Sequence, residues 1–311
     1  KLRPNAEYYL AWVALGEKKA DVAAQQFGVV ADTFPQHELA GECRLQQGTM
    51  LLDAEKFADA QKALEKFIAD YTKHEEIDKA TYQLGFSQLK QDQWKAALVS
   101  FAKVPAKSEH RADALYQSAR CQKGAGKKQD AVKYYAELLT EFPEGPLANT
   151  SLFELAELKY EAKKTTEVIR HLQKLIEEKK PKRDLLALAQ QLLGLGYYDQ
   201  ENFAEALLNF QKVVRARKPT GRSKSDELGA EAQFRIGRCY FKQEMFDKAI
   251  EEYKKMETGF PFPQWQSKAI FEMAMTLDRK GDKAEAQEQF KRLVEKFPDT
   301  PAAADAKAKL D

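Results

Sequence analysis

The chain has 311 residues, 32% of them charged, yet 50 Lys and Arg against 48 Asp and Glu leave a formal net charge of only +2. That balance gives no general pull toward nucleic acid or an acidic membrane surface, and no apolar run approaches the roughly 18 residues a membrane span needs. With only 15 Gly and 11 Pro, and much Ala, Leu, Lys, Glu and Gln, the composition favours helix throughout. The chain opens on Lys1 rather than methionine and shows no signal-peptide pattern, so it reads as a processed or trimmed piece in which missing targeting signals prove little. Cys43, Cys121 and Cys239 are an odd count, widely spaced and without C-x-x-C. They predict small buried thiols rather than disulfides or a zinc site, and leave the compartment open.

In chain order, the first predicted element is a helix carrying Ala11 and running up to the turn GEKK (16–19). A second helix follows with Ala23, Phe27 and Val30 on one stripe, until Phe34-Pro35 stops it. Proline lacks a backbone N–H and clashes with the preceding turn. The same order then recurs. Alanine, or once valine, anchors each second helix at Ala23, Ala60, Ala97, Ala131, Val168, Ala206, Ala249 and Ala286, spaced by 37, 37, 34, 37, 38, 43 and 37 residues. Four residues after each anchor stand Phe27, Leu64, Phe101, Tyr135, Leu172, Phe210, Tyr253 and Phe290. Seven after stand Val30, Phe67, Val104, Leu138, Leu175, Val213, Met256 and Leu293, on the same helical stripe. Twelve before lie Ala11, Gly48, Gly85, Ala119, Ala156, Gly194, Gly237 and Ala274, all small. Twelve after lies proline in four repeats: Pro35, Pro143, Pro261 and Pro298. Turns inside the hairpins read as DAEK (53–56), KGAGKK (123–128), DQEN (199–202) and RKGDK (279–283). In TEFPEGPLA (140–148), Phe142 falls on the last turn of a second helix, Pro143 stops it, and Leu147 opens the next helix. Residues 299–311 read as a capping or truncated helix.

This pattern predicts helical hairpins. The small residue on the first helix lets the second approach closely, and the large residue four after the anchor fills the crossing. Neither helix buries its apolar face alone, so hairpins stack into a solenoid with a continuous core.

IGRCY (236–240) and LGLGY (193–197), with the alanine and proline positions in register, resemble the tetratricopeptide repeat family over about residues 4 to 300. The resemblance implies an all-α, right-handed superhelical solenoid of about eight hairpins, with residues 1–311 as a single array. Most repeats here run to 37 residues rather than 34, and the position seven after the anchor is large rather than alanine. The longer spacer is similar to that of a bacterial envelope subgroup, the Tol-Pal coordinator and β-barrel assembly lipoprotein type. That implies a non-catalytic scaffold holding a protein or peptide segment in a concave groove, in the periplasm or at the envelope. The alternative is a cytoplasmic regulatory or substrate-binding region of a larger protein whose catalytic part lies elsewhere.

Catalytic motifs are missing from the sequence: there is no H-E-x-x-H, G-x-S-x-G or phosphate loop. TGRSKS (220–225) lacks the glycine-lysine pairing of such a loop, and GLG (194–196) lies inside a helix rather than after a strand. Acidic pairs at 75–76, 177–178 and 251–252 read as solvated helix faces. His37, His74 and His110 fall at near-equivalent turns, but ligands must converge to about 2 Å from a metal, while packed helices stand roughly 8–10 Å apart. They read as turn residues, with His171 apart from that row. No cofactor, metal or nucleic-acid partner is expected.

The family resemblance places the residues 18, 15, 11 and 8 before each anchor on the concave face. Offset 15 gives Tyr8, Leu45, Tyr82, Tyr116, Phe153, Gln191, Phe234 and Phe271. Offset 11 adds Trp12 and Phe86, and offset 8 adds Tyr160, Tyr198 and Phe241. Such an aromatic ladder could anchor a partner, or its rings could wedge between helices as core. The lysine and asparagine pattern of the family's carboxylate clamp is not matched, which argues against capture of a chaperone tail. A second candidate is the long link RARKPTGRSKSDE (215–227), where Arg215, Arg217, Lys218, Arg222 and Lys224 could bind an anion or simply solubilise a loop. EEKKPKR (177–183) could join it, although its acids offset part of the charge.

Overall fold

The computed structural model describes residues 3–217 and 227–310. Among the described residues there are 17 α-helices and no strand. They follow one another as α1 (Arg3–Gly16), α2 (Ala20–Thr33), α3 (Ala40–Asp53), α4 (Phe57–Asp70), α5 (Ile77–Lys90), α6 (Trp94–Ala102), α7 (Arg111–Gly124) and α8 (Lys128–Glu141). Then come α9 (Ala148–Glu161), α10 (Thr165–Lys174), α11 (Arg183–Asp199), α12 (Phe203–Ala216), α13 (Glu227–Lys242), α14 (Phe246–Gly259), α15 (Pro263–Lys280), α16 (Lys283–Lys296) and α17 (Pro301–Leu310). Odd-numbered helices are the first helices of the hairpins and even-numbered ones the second, as the repeat predicts.

The chain divides into two compact units, Lys1–Ser151 and Leu152–Asp311. In the first, each helix from α1 to α8 packs on the next, and the first helices α3, α5 and α7 also touch one another across repeats. In the second, the same holds from α10 onward, with α11, α13, α15 and α17 touching in succession. The first-helix side is therefore the inner side of each stack.

The stripe read from the sequence is the core. The plug residues four after each anchor are buried in every repeat, from Phe27 at 0% exposed to Phe290 at 4%. The small residues opposite them leave no spare room. A Cβ added to Gly85 would stand 2.7 Å from the Phe101 ring, and one on Gly194 2.7 Å from Phe210. At Gly48 the obstacle is Leu64, at 2.8 Å. Glycine at this position is thus a requirement of close helix approach rather than of backbone conformation.

Each hairpin turns through one device. The residue five before the anchor is left-handed in all eight repeats: Lys18, Glu55, Asp92, Gly126, Lys163, Glu201, Glu244 and Gly281. The next N–H reaches back to the first helix, as Lys56 to Leu51 O (2.8 Å) and Met245 to Tyr240 O (2.9 Å). This is the Schellman closure, which satisfies carbonyls that the helix end would otherwise leave open. Six of the eight left-handed positions hold a charged side chain instead of glycine.

The joints between hairpins share a second device in several repeats. The Phe142 N–H donates to Leu138 O (2.8 Å), just past the end of α8 at Glu141, so Phe142 caps the helix rather than occupying its last turn. Phe34 and Phe297 do the same on Val30 and Leu293. Two of the histidines act here: His37 Nδ1 accepts from the Leu39 N–H (3.2 Å) and His74 Nδ1 from the Glu76 N–H (3.1 Å). His110 instead stacks on Tyr82, with ring centroids 5.6 Å apart. At the corresponding place Thr300 Oγ1 accepts from the Ala303 N–H, opening α17, whose Ala302, Ala303 and Ala306 cover Phe290 and Leu293. One irregularity stands out in EEKKPKR: α10 runs into a π turn, Leu175–Lys179, and Lys180 is left-handed at φ 46°. The cysteines are free and buried, and burial pushes the Cys43 and Cys239 thiols up to about 12 and that of Cys121 to about 11.

Candidate protein-binding surface

Five of the offset-15 aromatics have a shared seat, each against the plug of its own hairpin. Tyr8 meets Phe27 at 6.0 Å between ring centroids, Tyr82 meets Phe101 at 5.9 Å and Tyr116 meets Tyr135 at 5.8 Å. In the second unit Phe234 meets Tyr253 at 5.9 Å and Phe271 meets Phe290 at 5.6 Å. These rings are core on one edge, and burial of Tyr82 pushes its phenol up to about 12. Phe153 and Phe234 go further inward, at 8% and 5% exposed. The non-aromatic members of the row, Leu45 and Gln191, are also buried.

The other ladder positions differ in what they offer. Trp12 is 38% exposed and lies beside Tyr9, Leu10 and Val13, all at least half exposed, on α1. Phe86 carries the Lys90 ammonium 5.4 Å above its ring. Burial and the Asp199 carboxylate push the Tyr160 phenol up to about 12. Phe241 packs on Phe246 and borders a cleft of about 400 Å³ with Lys242 and Met275. Tyr198 is half-buried, and its hydroxyl has no hydrogen-bond partner among the described residues.

A further concavity of the second unit lies on its first-helix side, between α13, α15 and α17, with a volume of about 360 Å³. Phe234, Trp265 and Phe271 supply its apolar wall, with the Phe234 and Trp265 rings 5.6 Å apart. Trp265 is fixed by donating Nε1–H to Glu227 Oε1 at 3.0 Å. Arg235, Arg238 and Lys268 face the same space, opposed by Glu272 on α15 and Asp305 on α17. Arg235 is taken up by Glu231 at 3.1 Å. Arg238 stands 3.7 Å from Glu272 and 5.8 Å from the Tyr198 ring centre. Lys268 lies 4.3 Å over the Trp265 ring and makes no ion pair among the described residues. Burial raises the Glu272 carboxyl above the ordinary glutamate value, against the pull of Arg238.

Aromatic counting missed the cations of this cleft, although its own offsets contain them: Arg238 is 11 before Ala249 and Lys268 is 18 before Ala286. Trp265, at 21 before Ala286, lies beyond the offsets used.

A cleft of about 380 Å³ in the first unit, between α2, α3 and α4, looks basic but is internally balanced. Arg44 is held by Asp32, Lys56 by Asp21 at 2.7 Å and Lys62 by Asp59 at 3.2 Å. Of the proposed anion loop, Arg215 is exposed on the last turn of α12, and Arg217 is bound to Asp184 at 3.0 Å. Lys218, Arg222 and Lys224 lie outside the described residues. Among the described residues no group of three or more His, Cys, Asp or Glu could hold a metal ion, and no helix is long and apolar enough to cross a membrane.

Comparison with known proteins fits this architecture. Tetratricopeptide repeat models match residues 192–262 and 268–300. Among solved structures, the C-terminal part of a tetratricopeptide repeat protein from Cytophaga hutchinsonii aligns over 84% of this chain and 98% of that one, with a TM-score of 0.65 at 16% identity. A tetratricopeptide repeat protein from Parabacteroides merdae aligns over 89% of this chain and 100% of that one, with a TM-score of 0.54 at 14% identity. YrrB, described as a tetratricopeptide repeat protein with an unusual peptide-binding site, aligns over 67% and 97%, with a TM-score of 0.50 at 20% identity. A search of curated proteins finds no match. Tetratricopeptide repeats serve as protein-interaction scaffolds, and the fold is in general non-catalytic. The model of the outer membrane lipoprotein family YfiO matches residues 2–159, just over half of the chain, and the chain belongs to that family.

Proposed function

We propose that the protein is a non-catalytic scaffold of the bacterial envelope that holds a segment of a partner protein against the first-helix side of its repeats. The observation that carries this reading is the cleft between α13, α15 and α17, where aromatic walls and unevenly paired cations share one concave space. Interface anchors are characteristically large aromatics and arginine in partly desolvated settings. Membership of an outer membrane lipoprotein family supports the envelope setting. The peptide-binding site ascribed to YrrB supports a segment, rather than a small molecule, as the ligand class.

A photoreactive amino acid placed at Trp12 and at Lys268 samples the first-helix side of each unit, and one at exposed Leu208 on α12 samples a second helix. In cells of the native organism, the reading requires partner crosslinks from the first two positions and few from Leu208. Crosslinks arising equally from Leu208, or only there, would overturn it. Reading residues 1–311 as one array belongs to the same proposal. A single cooperative denaturation transition, coincident by different probes, supports it. Two resolved transitions oppose it.

A further inference from the structure

We infer that the cleft between α13, α15 and α17 recognises an acidic side chain next to an aromatic one in a partner peptide, with Arg238 and Lys268 receiving the carboxylate and Trp265 and Phe271 the ring. This rests on the scaffold reading above and gives it a ligand chemistry.

Four observations meet in this place. Arg238 stands 3.7 Å from Glu272, too far for a hydrogen bond, so the donors of a guanidinium are incompletely used in a half-buried setting. Lys268 hovers over Trp265 at 4.3 Å, and the nearby Glu227 carboxylate that feels its charge is hydrogen-bonded instead by Gln264 and Trp265. Two phenols of the same neighbourhood, Tyr198 and Tyr253, have buried hydroxyls with no hydrogen-bond partner, and Tyr253 is 1% exposed. Both of these rings lie near Arg238 and Glu272. Buried polar groups are normally satisfied, and unsatisfied ones are costly. The Tyr253 hydroxyl is sealed in the core, but guanidinium donors of Arg238 left open at the cleft wall point to an acceptor arriving from outside, and a carboxylate is the acceptor that matches a guanidinium best.

The apolar half argues for an adjacent aromatic ring. Phe234 and Trp265 form an angled pair at 50°, and Phe271 completes the wall. A volume of about 360 Å³ lies at the small end of ligand clefts and has room for a few side chains rather than a folded domain. Among the lining side chains three cations, Arg235, Arg238 and Lys268, stand against two carboxylates, Glu272 and Asp305, so charge complementarity favours an acid over a base.

The test uses the full chain and four families of capped heptapeptides whose central pair is Glu-Phe, Gln-Phe, Lys-Phe or Glu-Gly, measured by fluorescence anisotropy at fixed ionic strength. The Glu-Phe peptides are expected to bind at least tenfold more tightly than any of the others. Arg238→Gln and Lys268→Gln are each expected to reduce that affinity about tenfold. Trp265→Ala is expected to reduce it without changing the acid-over-amide ratio. Lys291→Gln, the same charge change on exposed α16, is expected to have no effect. Lys268 is on the surface, so its variant remains informative if Arg238→Gln perturbs folding, and Arg238→Lys separates charge from fork geometry. Equal binding of Glu-Phe and Gln-Phe peptides, absence of binding, or equal losses with Lys291→Gln would each overturn the inference. In those cases first-helix crosslinks in cells would still support the scaffold reading, and only their absence would remove both.

Discussion

The Tyr253 ring fills the space that a side chain at Gly237 would need: an added Cβ would stand 2.7 Å from Cδ1 and closer still to Cε1. Tyr253 is itself fully packed at 1% exposed, so it has no room to retreat. Gly237→Ala is therefore expected to destabilise the second unit by about 1–3 kcal/mol through overpacking. Gly259→Ala, where nothing lies within 4 Å of the added Cβ, is expected to be neutral or to gain about 0.4–1 kcal/mol. Chemical denaturation of the two variants side by side checks the contrast. Equal effects would show that helix propensity, not the crossing, decides the position.

A different glycine is needed for its backbone. Gly281 turns α15 into α16 at φ 103° with open space around it, so only conformation resists a side chain there. Gly281→Ala is expected to cost about 1–2 kcal/mol. Glu244, at the equivalent turn with φ 59°, already bears that kind of strain. Glu244→Gly is expected to gain less than about 1 kcal/mol, because the more flexible unfolded chain offsets part of the relief. Thermal melts of both variants read the opposite signs.

The three thiols should be silent in the native protein. Burial holds Cys43 and Cys239 near 12 and Cys121 near 11, so hardly any reactive thiolate exists at neutral pH. A colorimetric thiol reagent is expected to report no fast-reacting cysteine in the folded chain and three after denaturation. A single fast thiol under native conditions would mean that one repeat opens readily.

Glu272 gives a pH signature. Burial raises its carboxyl above the ordinary 4.5, so the folded state holds the proton more tightly than the unfolded chain does. The stability linked to this group is fully present below pH 4.5 and is lost as pH rises through the raised value. Glu272→Gln, which imitates the protonated form, should therefore raise the melting temperature at pH 7 and leave it unchanged at pH 4. A variant less stable than the parent at pH 7 would show that the Arg238 contact outweighs the burial.

The repeat was legible because its determinants are local and recur: the anchor alanines, the plugs and the small residue twelve before each anchor constrain one another through volume. Every buried plug from Phe27 to Phe290 follows from that pattern. Less visible were features whose physics is not in the residue type. Lys18, Glu55 and Glu201 adopt left-handed turns that residue preference would assign to glycine or asparagine, because the closure of the hairpin over-determines them. The π turn at Leu175–Lys179 has no period to announce it. For the surface, the aromatic residues at the concave offsets mixed core rings such as Phe153 with open ones such as Trp12. The cleft became apparent only when charge was placed beside the rings, because Arg238 and Lys268 belong to different repeats and meet through packing of α13 on α15.

The identical closures of successive hairpins also bear on how quickly the chain can fold. Among the described residues of each unit, a helix packs chiefly on its neighbour or on the next helix but one, so few native contacts wait for remote parts of the chain to find each other. The loop-closure entropy that slows many folds is small here, and topology alone places such stacks among rapid folders. Two hairpins emerging in succession from a ribosome or any narrow pore already contain everything they need to begin stacking.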